Sequence, residues 1–353
     1  MRTLLLAAAM ALVAAPPVAA VELFWNDDAG IHRAGRDEPQ TAELLFDTFD
    51  TRGLAVDAVG DRLLWSDILP IGGPLPGGVI RTGSTHGGPI VNLVRNLTFP
   101  AGVALDERRG KVYWTDLGDA ANPSAVFAAN LDGSDVRRLI SGPSLSEIAG
   151  IAVDARHDKL YFTFINPLLD SLFAGGIARA DLDGSTFEQV VGGLLQPRGI
   201  AIDADGSGIY WADPRGLAGA ANGVIAAADL DGQHLHTVLG GLDGPFGVAL
   251  DLSEQNVYWT DMAKGKIQRT AMSGILPYFQ DVVTGLVAPT AIAIVPEPPS
   301  GALAAVGALI VACARRRRPS RTTRAGAVMP LVPAVPLHRP AALGPAHRSV
   351  RLV

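Results

Sequence analysis

An all-β fold made of repeated four-stranded units is predicted by three observations in this 353-residue sequence. An aromatic-rich tetrapeptide recurs six times, as Phe24-Trp25-Asn26-Asp27, Leu64-Trp65-Ser66-Asp67, Tyr113-Trp114-Thr115-Asp116, Tyr161-Phe162-Thr163-Phe164, Tyr210-Trp211-Ala212-Asp213 and Tyr258-Trp259-Thr260-Asp261. From the second copy onward the spacing is about 48 residues, within the range of propeller blades. Each of these later copies also follows a Gly-apolar-Ala-apolar-Asp segment: Gly53 to Asp57, Gly102 to Asp106, Gly150 to Asp154, Gly199 to Asp203 and Gly247 to Asp251. These segments read as the inner strands of blades.

Composition fits that class. The chain is 48% hydrophobic, enough for a large core, and its 40 glycines fit many tight turns. Every tryptophan (Trp25, Trp65, Trp114, Trp211, Trp259) lies in a tetrapeptide, so the aromatic content serves the repeat and not a separate site. A single cysteine, Cys313, excludes an intramolecular disulfide, so the fold relies on packing.

The order of elements begins with residues 1–20. Arg2, the apolar run from Leu4 to Ala15 and the small residues Val18-Ala19-Ala20 read as a secretory signal peptide cleaved near Val21. Residues 21–52 then hold a tetrapeptide and a strand-like segment, Glu43 to Phe49, with no inner strand in front. The missing pattern returns at Thr290-Ala291-Ile292-Ala293-Ile294, which no tetrapeptide follows. The last strand is therefore expected to complete the first blade, closing a ring that leaves no open-sheet edge.

Within a blade the expected order is inner strand, turn, tetrapeptide strand, loop, third strand, tight turn, outer strand. The tight turns are legible at Leu131-Asp132-Gly133, Leu182-Asp183-Gly184 and Leu230-Asp231-Gly232, where Asp-Gly suits positive φ, with Met272-Ser273-Gly274 as the weaker equivalent. A calcium loop would need oxygen ligands at alternate positions and a closing Glu, which these turns lack.

The tetrapeptide with its GxAxD lead and LDGS turn resembles the low-density-lipoprotein receptor class B (YWTD) repeat, over residues 21–294. That resemblance implies a six-bladed β-propeller of the extracellular, non-catalytic binding kind. It also implies that Asp27, Asp67, Asp116, Asp213 and Asp261 tie strands and neighbouring blades by hydrogen bonds while the aromatics pack between sheets. The fourth copy departs, with Phe162 for Trp and Phe164 for Asp, and is expected to pack differently.

Beyond the repeats, Val295-Pro296-Glu297-Pro298, a small and apolar run from Gly301 to Ala314 and the cluster Arg315, Arg316, Arg317 and Arg318 resemble a PEP-CTERM sorting signal of Gram-negative bacteria, spanning 295–318. The resemblance implies processing near the Pro-Glu-Pro by an exosortase-type enzyme and transient membrane contact through 300–314, with the arginines held inside. Fifteen residues give about 22 Å of helix against a hydrocarbon core of about 30 Å, so the run is a weak anchor. The Pro-, Ala- and Arg-rich stretch 319–353 reads as disordered by composition.

Charge narrows the function. No acidic residue follows Glu297 while nine arginines do, so residues 21–298 carry a formal net of −16, from 19 basic and 35 acidic residues. A body this acidic repels phosphate backbones and excludes nucleic acid as a partner. The inner strands offer the channel LAV, VAL, IAV, IAI, VAL and IAI, with no carboxylate or imidazole for acid–base work. His234 and His236 share a strand face without a third ligand, and no phosphate loop or nucleophile motif occurs, so no metal or cofactor is expected. Equivalent positions just before the inner strands differ, however: Arg52, Ala101, Ala149, Arg198, Phe246 and Thr290. They fall at the channel mouth, on the face of the long loops 68–79, 117–125, 165–176 and 214–223.

The reading is an exported binding or surface-assembly module of the cell envelope or extracellular matrix. Arg52, Arg198 and Phe246 are its candidate contacts to an extracellular polysaccharide or protein ligand, with an anionic group as the target. The alternative is a propeller lyase, lactonase or hydrolase with its active site in the channel.

Overall fold

The structure, a computed structural model, describes residues 21–295 apart from residue 58 and the segments 71–76, 120–121, 143–144, 167–173, 204–207, 218–221 and 275–277. The signal-peptide residues 1–20, Pro296, Glu297, Pro298, the run 300–314, Arg315 to Arg318 and the stretch 319–353 lie outside the described residues.

Six antiparallel four-stranded sheets form a β-propeller. Blade 2 shows the plan, running Thr51–Asp57, Arg62–Leu69, Gly77–Gly83 and Val91–Leu97 from the channel outward. Blades 3 to 6 repeat it, with inner strands Pro100–Asp106, Ile151–Asp154, Ile200–Ile202 and Pro245–Asp251. Blade 1 is assembled from both ends of the described chain. Ile292–Val295 supplies its inner strand and pairs with Glu22–Asp27, in the register Trp25↔Ile292 to Glu22↔Val295. The inner strands contact one another in one closed cycle, with Ile292–Val295 touching those of blades 2 and 6.

The sheets pack through the repeat residues. All five tryptophans and Phe162 are at most 1% exposed. Trp114 stacks on Phe127 and Phe162 on Phe187, each within its own blade, at 5.5 and 6.0 Å between centroids, whereas Trp65 stacks at 4.9 Å on Phe46 of blade 1, across a blade junction. None of the five indole N–H groups has an acceptor among the described residues. Burying an indole of 150–250 Å² stabilises by about 4–6 kcal/mol, while an unpaired N–H costs about 1–3 kcal/mol. Packing wins at every position.

Glycine is demanded at two places. At the Asp-Gly turns Gly133, Gly184 and Gly232 have φ of 81°, 86° and 81°, and a Cβ at Gly232 would sit 1.9 Å from the carbonyl oxygen of Val190 in the preceding blade. At the inner strands a Cβ on Gly53, Gly102, Gly150, Gly199 or Gly247 would lie 2.2–2.6 Å from a carbonyl oxygen of the next blade. In blade 1 the equivalent residue is Ala291. The close approach is thus relaxed at one of six seams.

Three outcomes are expected. Ending the chain before Thr290 exposes the edge of Glu22–Asp27 and causes aggregation with a lowered melting temperature; a soluble, equally stable truncation argues against closure by the last strand. Trp114→Ala costs about 3–5 kcal/mol in urea unfolding. Gly150→Ala, which forces a backbone shift at a seam, costs about 1–3 kcal/mol.

Candidate functional site

Antiparallel alternation puts the starts of the inner strands at the same end as the loops leaving the tetrapeptide strands. The third residue of each tetrapeptide builds this rim. Thr115 Oγ1 accepts the Gly102 N–H at 2.8 Å and donates to the Ala149 carbonyl of the next blade at 2.7 Å. Thr163 does the same between Gly150 and Arg198, both at 2.8 Å, and Thr260 between Gly247 and Thr290, at 2.8 and 3.2 Å. Ser66 likewise links Gly53 to Ala101. In blade 1 the amide of Asn26 spans from Ala291 N–H to the Thr51 carbonyl. Ala212 has no hydroxyl, and the seam there is a direct bond from Gly199 N–H to the Phe246 carbonyl at 2.9 Å.

The fourth tetrapeptide residue anchors the entering chain. Asp67 accepts the N–H of Phe49 and Asp50 and an Arg81 guanidinium; Asp116 accepts Thr98, Phe99 and Gly118; Asp213 accepts Leu195, Gln196 and Arg215. Burial pushes the carboxyls of Asp67 and Asp213 above the ordinary aspartate value, and these donors oppose the rise. Asp27 instead takes Ala29 N–H and His32. Asp261 accepts Lys264 N–H through one oxygen, and its other oxygen is buried without a partner among the described residues. In the fourth blade Phe164 replaces the carboxylate, and the chain is held by the reciprocal backbone pair Ser146 and Ile165 at 2.8 Å.

These two layers fix a cavity of about 90 Å³ at the channel mouth. Its wall carries Leu54, Val103, Ile151, Ile200, Val248 and Ile292, and its rim carries Arg52, Ala101, Ala149, Arg198, Phe246 and Thr290. Among the described residues no carboxylate, imidazole or thiol lines it. Arg52, Arg198 and Phe246 are therefore brought together around one opening, with Arg52 and Arg198 on blades three steps apart in a ring of six.

The two arginines differ. Arg52 is bidentate on Asp50 at 3.1 and 3.0 Å and lies 4.8 Å from the Phe99 centroid. Arg198 lies 5.7 Å from the Phe246 centroid and 3.6 Å from Glu147, with its side chain 18% exposed. Burial lowers its pKa below the ordinary arginine value, against Glu147 and Asp213, while Arg52 pushes it down further. Glu147 and Phe99 were not singled out in the sequence, because their proximity to the arginines depends on how neighbouring blades meet. The hydroxyl at the third tetrapeptide position was also passed over. Its signal was present, since Ser66, Thr115, Thr163 and Thr260 occupy one register.

His234 and His236 do not converge: His234 pairs with Asp229 at 2.6 Å, whereas His236 bonds the His234 carbonyl. Among the described residues no three His, Cys, Asp or Glu side chains are grouped to hold a metal ion.

Comparison with known proteins follows this geometry. Residues 110–155 match the model of low-density lipoprotein receptor repeat class B. The chain is a six-bladed propeller carrying YWTD repeats. This YWTD propeller is 32% identical over 169 residues to protein cueball of Drosophila simulans, covering 46% of this chain and 23% of cueball. It is 26% identical over 196 residues to the vitellogenin receptor of Solenopsis invicta, covering 55% of this chain and 10% of the receptor. The chain thus spans a quarter or less of the length of these curated relatives. Among solved structures, one in a nidogen/laminin complex superposes with a TM-score of 0.64 at 22% identity, over 78% of this chain and 98% of that one.

The seam hydroxyl is directly testable. Thr163→Val leaves Gly150 N–H and the Arg198 carbonyl unpaired and costs about 1–3 kcal/mol, while Thr163→Ser restores most of it. Equal stability of the two variants in urea titration contradicts the role given to the hydroxyl.

Proposed function

We propose that the protein is an exported, non-catalytic binding module that takes its partner on the channel-mouth face, at the cell envelope or in the extracellular matrix. The observation that carries this reading is the mouth itself. A rigid ring of backbone and hydroxyl bonds presents rim residues that differ from blade to blade, over a wall without acid–base groups. Variation on a fixed scaffold is how binding surfaces are built. The likeness to a receptor and the signal-peptide pattern of residues 1–20 support export and partner binding. The PEP-CTERM-like stretch 295–318 adds an exosortase-type processing partner and a Gram-negative envelope to the proposal. No observation at the channel favours the enzymatic alternative.

The test places a photo-crosslinking amino acid at Met262, in a loop on the mouth face, or at Val59, in the turn at the opposite end. Both are exposed, at 43% and 89%. Incubated with the extracellular fraction of the producing cells, the Met262 protein is expected to yield a discrete crosslinked product and the Val59 protein none. Ala149→Trp, which fills the mouth, should abolish that product while leaving the melting temperature within about 2 °C. Crosslinking from Val59 alone, or a product indifferent to Ala149→Trp, contradicts the reading.

A further inference from the structure

Arg198 stands apart from the other half-buried arginines. Arg33, Arg36, Arg52, Arg62, Arg81, Arg179 and Arg269 each donate a hydrogen bond to a carboxylate, amide, hydroxyl or carbonyl oxygen. Arg198 donates none among the described residues; its nearest acid, Glu147, is 3.6 Å away and 55% exposed. A guanidinium has five donors in a planar fork, and drawing it out of water without acceptors is costly. The charge lies at a cavity, beside the ring of Phe246 and across the mouth from a second arginine.

Resting on the channel-mouth reading above, we infer that Arg198 is the receptor for a single carboxylate carried by an acidic side chain of a peptide or protein partner, with Arg52 adding its field from across the mouth. A carboxylate matches the guanidinium fork bidentately, and such pairs are the strong charge-assisted kind. Arg52 contributes less because its own fork is committed to Asp50.

The wall decides between the two sources of carboxylate. Below the rim the lining is Leu54, Val103, Ile151, Ile200, Val248 and Ile292, and among the described lining residues Thr290 alone carries a side-chain hydroxyl. Thr290 Oγ1 already donates to the Thr51 carbonyl at 2.8 Å. A uronic acid ring would bring several hydroxyls against this aliphatic wall and leave them unpaired, at a cost for each. The methylene stem of a Glu or Asp carries no such groups and packs on the same wall and on Phe246. The acidic body, at −16 for residues 21–298, makes this local basic mouth the place where an acidic loop can enter.

The test uses the full chain and three small probes: N-acetylglutamate N′-methylamide, its glutamine counterpart and methyl glucuronide. Binding is read in every variant from the backbone amide signals of Gly199 and Gly247 at the mouth, and in the native protein also from the NMR signal of the Arg198 Nε–H, assigned by its loss in Arg198→Gln. The glutamate probe is expected to shift that signal with a dissociation constant on the order of 1–10 mM, and the glutamine probe at least tenfold more weakly. Arg198→Gln should lower affinity for the glutamate probe at least tenfold without lowering the melting temperature. Arg198→Lys, which keeps the charge and loses the fork, should lower it several-fold, and Arg52→Gln two- to threefold. Equal binding of glutamate and glutamine probes, or binding unchanged in Arg198→Gln, overturns the assignment. Tighter binding of the glucuronide overturns the peptide source in favour of a sugar. A Met262 crosslink together with a silent glutamate probe removes this inference and leaves the channel-mouth reading standing, whereas loss of the crosslink removes both.

Discussion

The architecture depends on how closely one blade's inner strand approaches the next blade's backbone. At five of six seams a glycine Cα faces a carbonyl oxygen that a Cβ would meet at 2.2–2.6 Å. Four of the seams add a hydroxyl that accepts the glycine N–H and donates to the facing carbonyl. One oxygen thereby satisfies two buried backbone groups belonging to different blades, which neither blade could satisfy alone. The same contacts set the width of the channel mouth, so the constraint that holds the ring also shapes the candidate site.

The blades vary in how they meet this constraint. The fifth blade, with Ala212 in place of the hydroxyl, pairs backbone with backbone; the first uses the amide of Asn26; the fourth exchanges its Asp for Phe164 and anchors the entering chain through Ser146 and Ile165. In the fourth and fifth blades a missing polar side chain is thus replaced by a backbone partner, while in the first an amide takes the hydroxyl's place. The side chains of Arg52, Ala101, Ala149, Arg198 and Phe246 are under no comparable constraint, because the seams use main-chain carbonyls at Thr51, Ala101, Ala149, Arg198 and Phe246, whereas Thr290 also gives its hydroxyl to the Thr51 carbonyl.

Much of this was legible in the sequence, because a repeat announces its own strands. Trp65, Trp114, Phe162, Trp211 and Trp259 set the period, Gly133, Gly184 and Gly232 marked the turns, and the unpartnered strand near Ile292 implied ring closure. The differing positions before the inner strands pointed to Arg52, Arg198 and Phe246. What stayed hidden was pairwise: that Arg52 is spent on Asp50, that Arg198, 3.6 Å from Glu147, donates no hydrogen bond among the described residues, and that one Asp261 oxygen has no partner among them. The approach of Arg198 to Glu147 depends on how blades about 48 residues apart meet, and the Arg52–Asp50 pair, though local, depends on side-chain directions that no residue pattern encodes.

The most direct measurement is native-state hydrogen exchange of the seam glycine amides, Gly102, Gly150 and Gly247, set against those of the outer strand Arg137–Ser141. If the seams hold the ring together, the glycine amides open only with global unfolding. Their exchange free energies should then equal the stability measured in urea, while the outer strand exchanges through smaller local openings. Glycine amides that exchange as fast as the outer strand would show that the blades separate without unfolding, and would contradict the account.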